Sequence, residues 1–146
     1  MKKHKPDLVN SRFTIKELQN NISLFSYWDW SDISRYQKLS ESFIKKHKRK
    51  VDWYWVSCRQ RLSENFIEKH LDKISWAGIS YHQELSEEFI EKYSDKVDWV
   101  FISEYQKLSE EFIKKYIHKI SIDFLIINSK ISDEIKEEIK TLKEII

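Results

Sequence analysis

The string Leu-Ser-Glu-x-Phe-Ile returns every 23 residues, starting at Leu39, Leu62, Leu85 and Leu108, with Ile131-Ser132-Asp133-Glu134-Ile135 as a worn fifth copy. A fixed period in the twenties constrains the fold more than any other feature, because a unit that small cannot bury its apolar face alone and must stack on a neighbour. One Gly and one Pro in 146 residues leave little punctuation for strands and tight turns. The expected fold is therefore all-α: an α-solenoid of short helix pairs, with an atypical N-terminal unit and a C-terminal capping helix. The expected organisation is a flexible basic arm over 1–12 and one solenoid domain over 13–146. Its units are 13–38, 39–61, 62–84, 85–107 and 108–130, and the cap is 131–146.

Each repeat carries two helix starts, here called helix A and helix B. At the first, Ser40, Ser63, Ser86, Ser109 and Ser132 occupy the N-cap slot, where a hydroxyl accepts from an unpaired backbone N–H. An acidic residue follows each serine and favours the positive end of the helix dipole. Leu39/Ile44, Leu62/Ile67, Leu85/Ile90 and Leu108/Ile113 flank those caps as hydrophobic staples. Twelve residues after the first start, Asp52, Ser75, Asp98 and Ser121 fill a second cap slot, with Asp29 in the first unit. Val51/Val56, Ile74/Ile79, Val97/Ile102 and Ile120/Leu125 staple it. The result is a pair of helices of roughly nine and eight residues, short enough that caps and packing decide whether they form. The first helix of the chain opens at Thr14, which with Glu17 makes a capping box, and the first unit carries three extra residues within Asn20–Tyr27.

The repeated aromatics are stacking surfaces: Phe43, Phe66, Phe89 and Phe112 on helix A, and Trp30, Trp53, Trp76 and Trp99 on helix B. His47 and His70 share a slot that becomes Tyr93 and Tyr116, which points to a flat ring with a polar tip rather than a metal ligand. The column Gln37, Gln60, Gln83 and Gln106 is expected to hydrogen-bond backbone carbonyls at the junctions between repeats. In the last unit Ile122, Asn128 and Ser129 replace the Trp, Tyr and Gln of the signature. Beyond it, Ile131, Ile135, Ile139, Leu142 and Ile145 fall on one face of a longer capping helix.

Nothing in the pattern points to catalysis or to a cofactor or metal. Cys58 is the single cysteine, without a base fixed beside it, which predicts a reducing, intracellular (cytoplasmic) setting. His4, His82 and His118 have no ligand spacing, and Gly78 stands alone rather than in a phosphate-cradling loop. The basic start has no apolar region behind it and no run reaches membrane-spanning length, so neither a secretory signal nor a membrane partner is expected. The net charge of +2 conceals an asymmetry: residues 1–61 hold 14 Lys and Arg against 6 Asp and Glu, and residues 62–146 hold 12 against 18.

Two surfaces are candidates for binding. The basic run Lys45, Lys46, Lys48, Arg49 and Lys50, helped by Lys2, Lys3, Lys5, Arg59 and Arg61, is a candidate phosphate or nucleic-acid contact. Against that reading, Glu68, Asp72, Glu91 and Asp95 stand at matching positions further on, and cations after a helix also complement its dipole. The second surface is the row on helix B where the copies disagree. Arg35, Tyr54, Cys58, Arg61, Tyr81, Glu84, Glu104 and Lys107 fall on one stripe, rich in the Tyr and Arg that dominate protein interfaces. The expected partner is thus a protein bound through helix B. The alternative is nucleic acid touched by the basic third, or mimicked by the acidic part.

Read as one string, Leu-Ser-Glu-x-Phe-Ile-x-Lys-(His/Tyr)-x-x-Lys-(Val/Ile)-(Asp/Ser)-Trp-x-x-(Ile/Val)-Ser-x-x-Gln resembles short helical repeats of uncharacterised giant-virus and phage proteins, over residues 28–127. The resemblance implies a viral or phage protein that binds, and could inhibit, a host defence-related factor. It carries no activity with it.

Overall fold

The computed structural model describes residues 6–145, with side chains up to Leu142, so Lys2, Lys3, His4, Lys5 and the side chain of Ile145 lie outside the described residues. The described chain is all-helical. Its contacts divide it into two compact units, residues 1–75 and 76–146, with the division inside the third repeat between its two helices.

The first unit contains α1 (Ile15–Asn21), a 3-10 turn (Ile22–Leu24), α2 (Tyr27–Tyr36), α3 (Glu41–Lys46), α4 (Trp53–Arg59) and α5 (Glu64–Glu68). The second contains α6 (Trp76–His82), α7 (Glu87–Lys92), α8 (Trp99–Tyr105), α9 (Glu110–Lys115), α10 (Ile122–Ile127) and α11 (Asp133–Ile145). Helix B packs on helix B in each, α2 on α4 in the first unit and α6 on α8 on α10 in the second, and α11 closes on α10. Each unit is a length of α-solenoid, as the period requires.

The A helices have only five or six residues because the chain turns immediately after them. The carbonyls of His47, His70, Tyr93 and Tyr116 each accept two amides, from Lys50 and Val51, Lys73 and Ile74, Lys96 and Val97, and Lys119 and Ile120. That second turn stays in right-handed backbone: among the described residues no φ is positive. Glycine is therefore not needed to stop these helices. The Trp indoles tie the turn to helix B, Trp53 Nε1 donating to Lys48 O and Trp99 Nε1 to Ser94 O, both at 2.9 Å.

The core is built from aromatic trios, each joining helix B of one repeat to helix A of the next. Trp53, Phe66 and His70 stack with centroids 4.3 to 6.3 Å apart. Trp99, Phe112 and Tyr116 repeat the arrangement at 4.7 to 6.4 Å. The staple aliphatics Ile44, Val56, Ile67, Ile79, Ile90, Ile102 and Ile113 are fully buried beside them. Ile131 and Ile139 bury the α11 face.

Two buried polar columns lock the repeats together. Gln60 Nε2 donates to the carbonyls of Ser34 and Gln37, and its Oε1 accepts from Leu39 N, at 2.8 Å each. Gln106 makes the same three bonds to Ser80, Gln83 and Leu85. The second column, Ser34, Ser57, Ser80 and Ser103, is fully buried. Each hydroxyl donates back to the Trp carbonyl four residues earlier. Each also accepts the amide of the following helix B cap: Asp52, Ser75, Asp98 or Ser121. Every hydrogen-bonding group on these side chains has a backbone partner, which buried polar atoms require.

Four sequence expectations are corrected here. Residues 7–12 are seated on the first repeat rather than loose: Leu8 is buried, and Gln37 Nε2 donates to Leu8 O and Ser11 O while its Oε1 accepts from Phe13 N. The segment thus gives Gln37 the backbone partners that the end of α2 gives Gln60. Asp29 is not an N-cap; α2 begins three residues earlier at Ser26, whose amide and hydroxyl both donate to Asp29 Oδ2. Ser121 makes no side-chain cap bond, whereas Asp52 and Asp98 each accept two amides. Asn128 does not abandon the Gln column: from one position earlier its Nδ2 donates to Ser103 O and Gln106 O, at 2.8 Å each.

Candidate functional site

Helix B determines which side chains reach the surface, because its buried side is fully used by Trp, aliphatic, Ser and Gln. In the first unit the exposed side gathers an aromatic and cationic group. Tyr54 is 57% exposed and packs edge-on against half-buried Trp55, centroids 5.0 Å apart. The Arg35 guanidinium lies 4.1 Å from the Trp55 ring and 4.9 Å from Tyr36. A cation on an aromatic face is held by the ring quadrupole and keeps its donors available at the rim. Arg61 is exposed nearby in sequence.

Cys58 does not belong to this surface. It is 8% exposed, a buried residue one turn after exposed Tyr54. Burial pushes the thiol pKa up, with the Tyr54 bond and the Arg59 charge pulling part of the way back. A protonated, covered thiol neither attacks nor touches a partner. The stripe spacing placed it outward, whereas in the structure it is buried with Val56 and Ser57.

In the second unit Tyr81 is 38% exposed, with its centroid 4.1 Å from Tyr105 and 5.3 Å from Phe101. The Tyr105 hydroxyl pKa is held well above the usual phenol value, first by its hydrogen bond to Glu104 and then by Tyr81. Glu84 and Lys107 are exposed and Glu104 is half-buried. The stripe is thus an aromatic and arginine group in one unit and a tyrosine and carboxylate group in the other.

The chain matches no family model, no curated protein and no solved structure. What it binds must be read from its surface.

Lys45, Lys46, Lys48, Arg49 and Lys50 are all exposed, and among the described residues none forms an ion pair. Lys45 and Lys48 line a groove of about 410 Å3 with Ser42, Asn65, Lys69 and His70, and with Glu41. Two repeats on, the matching groove is lined by Glu87, Glu88, Glu91, Glu111 and Lys115, and Lys115 is paired to Glu91 at 2.6 Å. One backbone concavity therefore has opposite charge in the two units. His47, between the lysines, has its pKa lowered by burial and then by Lys46 and Lys50. Its Nε2 has no hydrogen-bond partner.

Sequence reasoning missed the most exposed aromatics, Tyr27 and Trp28, which are 75% and 76% exposed and packed edge to face at 5.4 Å. They are displayed because the three extra residues of the first unit extend α2 by a turn at its start. That insertion was the available signal. Among the described residues no three His, Cys, Asp or Glu side chains gather as a metal site, and no helix is long and apolar enough to cross a membrane.

Proposed function

We propose that this protein is a non-enzymatic helical-repeat binding module that engages a protein partner through the outer side of helix B. The observation that carries this reading is the solvent-facing Tyr54, Trp55 and Arg35 group. Its three side chains are the types that dominate binding hot spots, held in place before a partner arrives. Tyr81 with Tyr105 offers a second anchor, and exposed Tyr27 and Trp28 a third. The resemblance of the repeat string to giant-virus and phage repeats supports reading such a module as a viral or phage protein that acts on a host defence factor in the cytoplasm. A second reading has its own support: five cations from Lys45 to Lys50 without ion pairs suit a nucleic-acid backbone.

Affinity capture with the full chain and with a Tyr54→Ala, Tyr81→Ala double variant tests the first reading. A defined protein should be retained by the wild type and by Lys96→Ala, resist nuclease, and be lost from the double variant. Identical protein profiles from all three would sink it, and nuclease-sensitive material in place of protein would favour the second reading.

A further inference from the structure

Against the first repeat lies the folded segment from Leu8 to Arg12. A short segment fills less space than a helix. It leaves a concavity of about 560 Å3 between residues 9–12 and the chain following α2 and α4. Five cations line this concavity, Arg12, Arg35, Lys38, Arg59 and Arg61, and no carboxylate does.

Dipole complementation does not explain the number. Helix C-termini favour cations, yet α8 has no basic residue in its last turn. The position of Arg35 is Cys58 one repeat on and Tyr81 two repeats on, that of Arg61 is Glu84 one repeat on, and Tyr81 packs on Tyr105. Cationic walls are thus particular to the first unit. Like charges gathered in a concavity repel, and a bound anion relieves that repulsion.

The cations are also arranged in advance. Arg12 Nη1 donates to Tyr36 O at 2.7 Å, which fixes one guanidinium at the rim. Arg35 is held over the Trp55 and Tyr36 rings. The amides of Gln37 and Gln60, which also line the concavity, are committed to the backbone clamp. Lys38 and Arg59 make no ion pair among the described residues. Planar guanidinium forks match phosphate oxygens two at a time, and the charges of Arg12, Arg35, Lys38 and Arg59 exceed what one phosphate neutralises.

We propose that this pocket binds an oligophosphate: a run of two or more phosphate groups, either free or as the backbone of a single-stranded nucleic acid. It shares Arg35 and Arg61 with the helix B surface but does not rest on it, since Arg12, Lys38 and Arg59 complete the pocket whether or not a protein docks on Tyr54.

The test titrates inorganic tripolyphosphate, and separately a single-stranded oligonucleotide of about ten nucleotides, into the full chain while following tryptophan fluorescence. Tripolyphosphate should bind at low salt and weaken as salt rises. Arg35→Ala and Arg59→Ala should each reduce its affinity about tenfold, with far-UV circular dichroism unchanged. Lys96→Ala, in the second unit, should bind like the wild type. An oligonucleotide that binds more tightly than tripolyphosphate, with the same two arginines sensitive, assigns the phosphates to a nucleic-acid backbone. Equal or weaker oligonucleotide binding assigns them to a free oligophosphate. Absence of binding by both ligands overturns the proposal. So does binding that ignores Arg35→Ala and Arg59→Ala but disappears in a Lys48→Ala, Arg49→Ala variant. Arg59→Ala bears on the pocket and the Tyr54→Ala, Tyr81→Ala pair on the protein surface, so the two readings fail separately.

Discussion

His47 shows how one slot in a repeat can be architectural and still carry a consequence of its own. Its ring is 4.6 Å from Phe43 and 5.2 Å from Trp30, the packing that Tyr93 makes with Phe89 and Trp76 at 4.8 and 5.2 Å. Burial, then Lys46 and Lys50, lowers its pKa from 6.5. The unfolded chain then binds the proton more readily than the folded one. Stability is complete above pH 6.5, falls as pH drops through that value, and levels off below the depressed native pKa. His47→Tyr removes this component. Urea midpoints at two pH values, one on each side of 6.5, should differ more for the wild type than for the variant, and equal differences would refute the assignment. Exchange of His for Tyr between copies made the packing role legible in the sequence. Neighbouring charge acts through distance and burial, so the pKa shift was not. The Gln column was legible for the same reason as the His/Tyr slot, while the Ser column was equally regular but reads as ordinary small residues until its two bonds per hydroxyl are seen.

Short helices rely on their ends, and the two starts in each repeat use different cap chemistry for a geometric reason. At the A starts, Ser40, Ser63, Ser86 and Ser109 have ψ between 152° and 156°, and each hydroxyl accepts the amide three residues on. At the B starts ψ is 106° to 108°. There the longer Asp52 and Asp98 side chains reach two amides, and Ser121 at the same ψ reaches none. The sequence treats Asp and Ser as equivalent caps, and backbone angle separates them. Ser121→Asp should therefore stabilise the protein by about 1 kcal/mol, read as a higher midpoint in urea. An unchanged or lower midpoint would show that the missing bond is not what limits α10. The B helices were legible to within two residues, whereas the A helices are three or four residues shorter than the expected nine, and the placement of three extra residues at the start of α2 was not legible. Ser26 and Asp29 carry a cap signal at that end, and the repeat frame outweighed it.

Across the whole chain, charge is segregated by compact unit rather than mixed. Residues 1–75 hold 16 Lys and Arg against 9 Asp and Glu, and residues 76–146 hold 10 against 15. The sequence showed that asymmetry directly. It could not show where the charge becomes a site, because Arg12 and Arg59 are 47 positions apart and meet only when the segment before α1 folds back. Tyr54 and Tyr81 were legible on helix B as large residues in variable slots, whereas Cys58, spaced onto the same stripe, is buried. Segregation has a consequence for the intact molecule that does not depend on any ligand. A protein of net charge +2 with mixed surface charge would be retained at pH 7 on a cation exchanger alone. Here each unit presents its own field within a Debye length of its surface, about 10 Å at 0.1 M salt and longer below it. At low ionic strength the protein should be retained on both cation and anion exchangers, and Glu87→Lys with Glu91→Lys in the acidic groove should release it from the anion exchanger first. Wild-type protein passing unretained through the anion exchanger would mean that the acidic unit presents no field of its own.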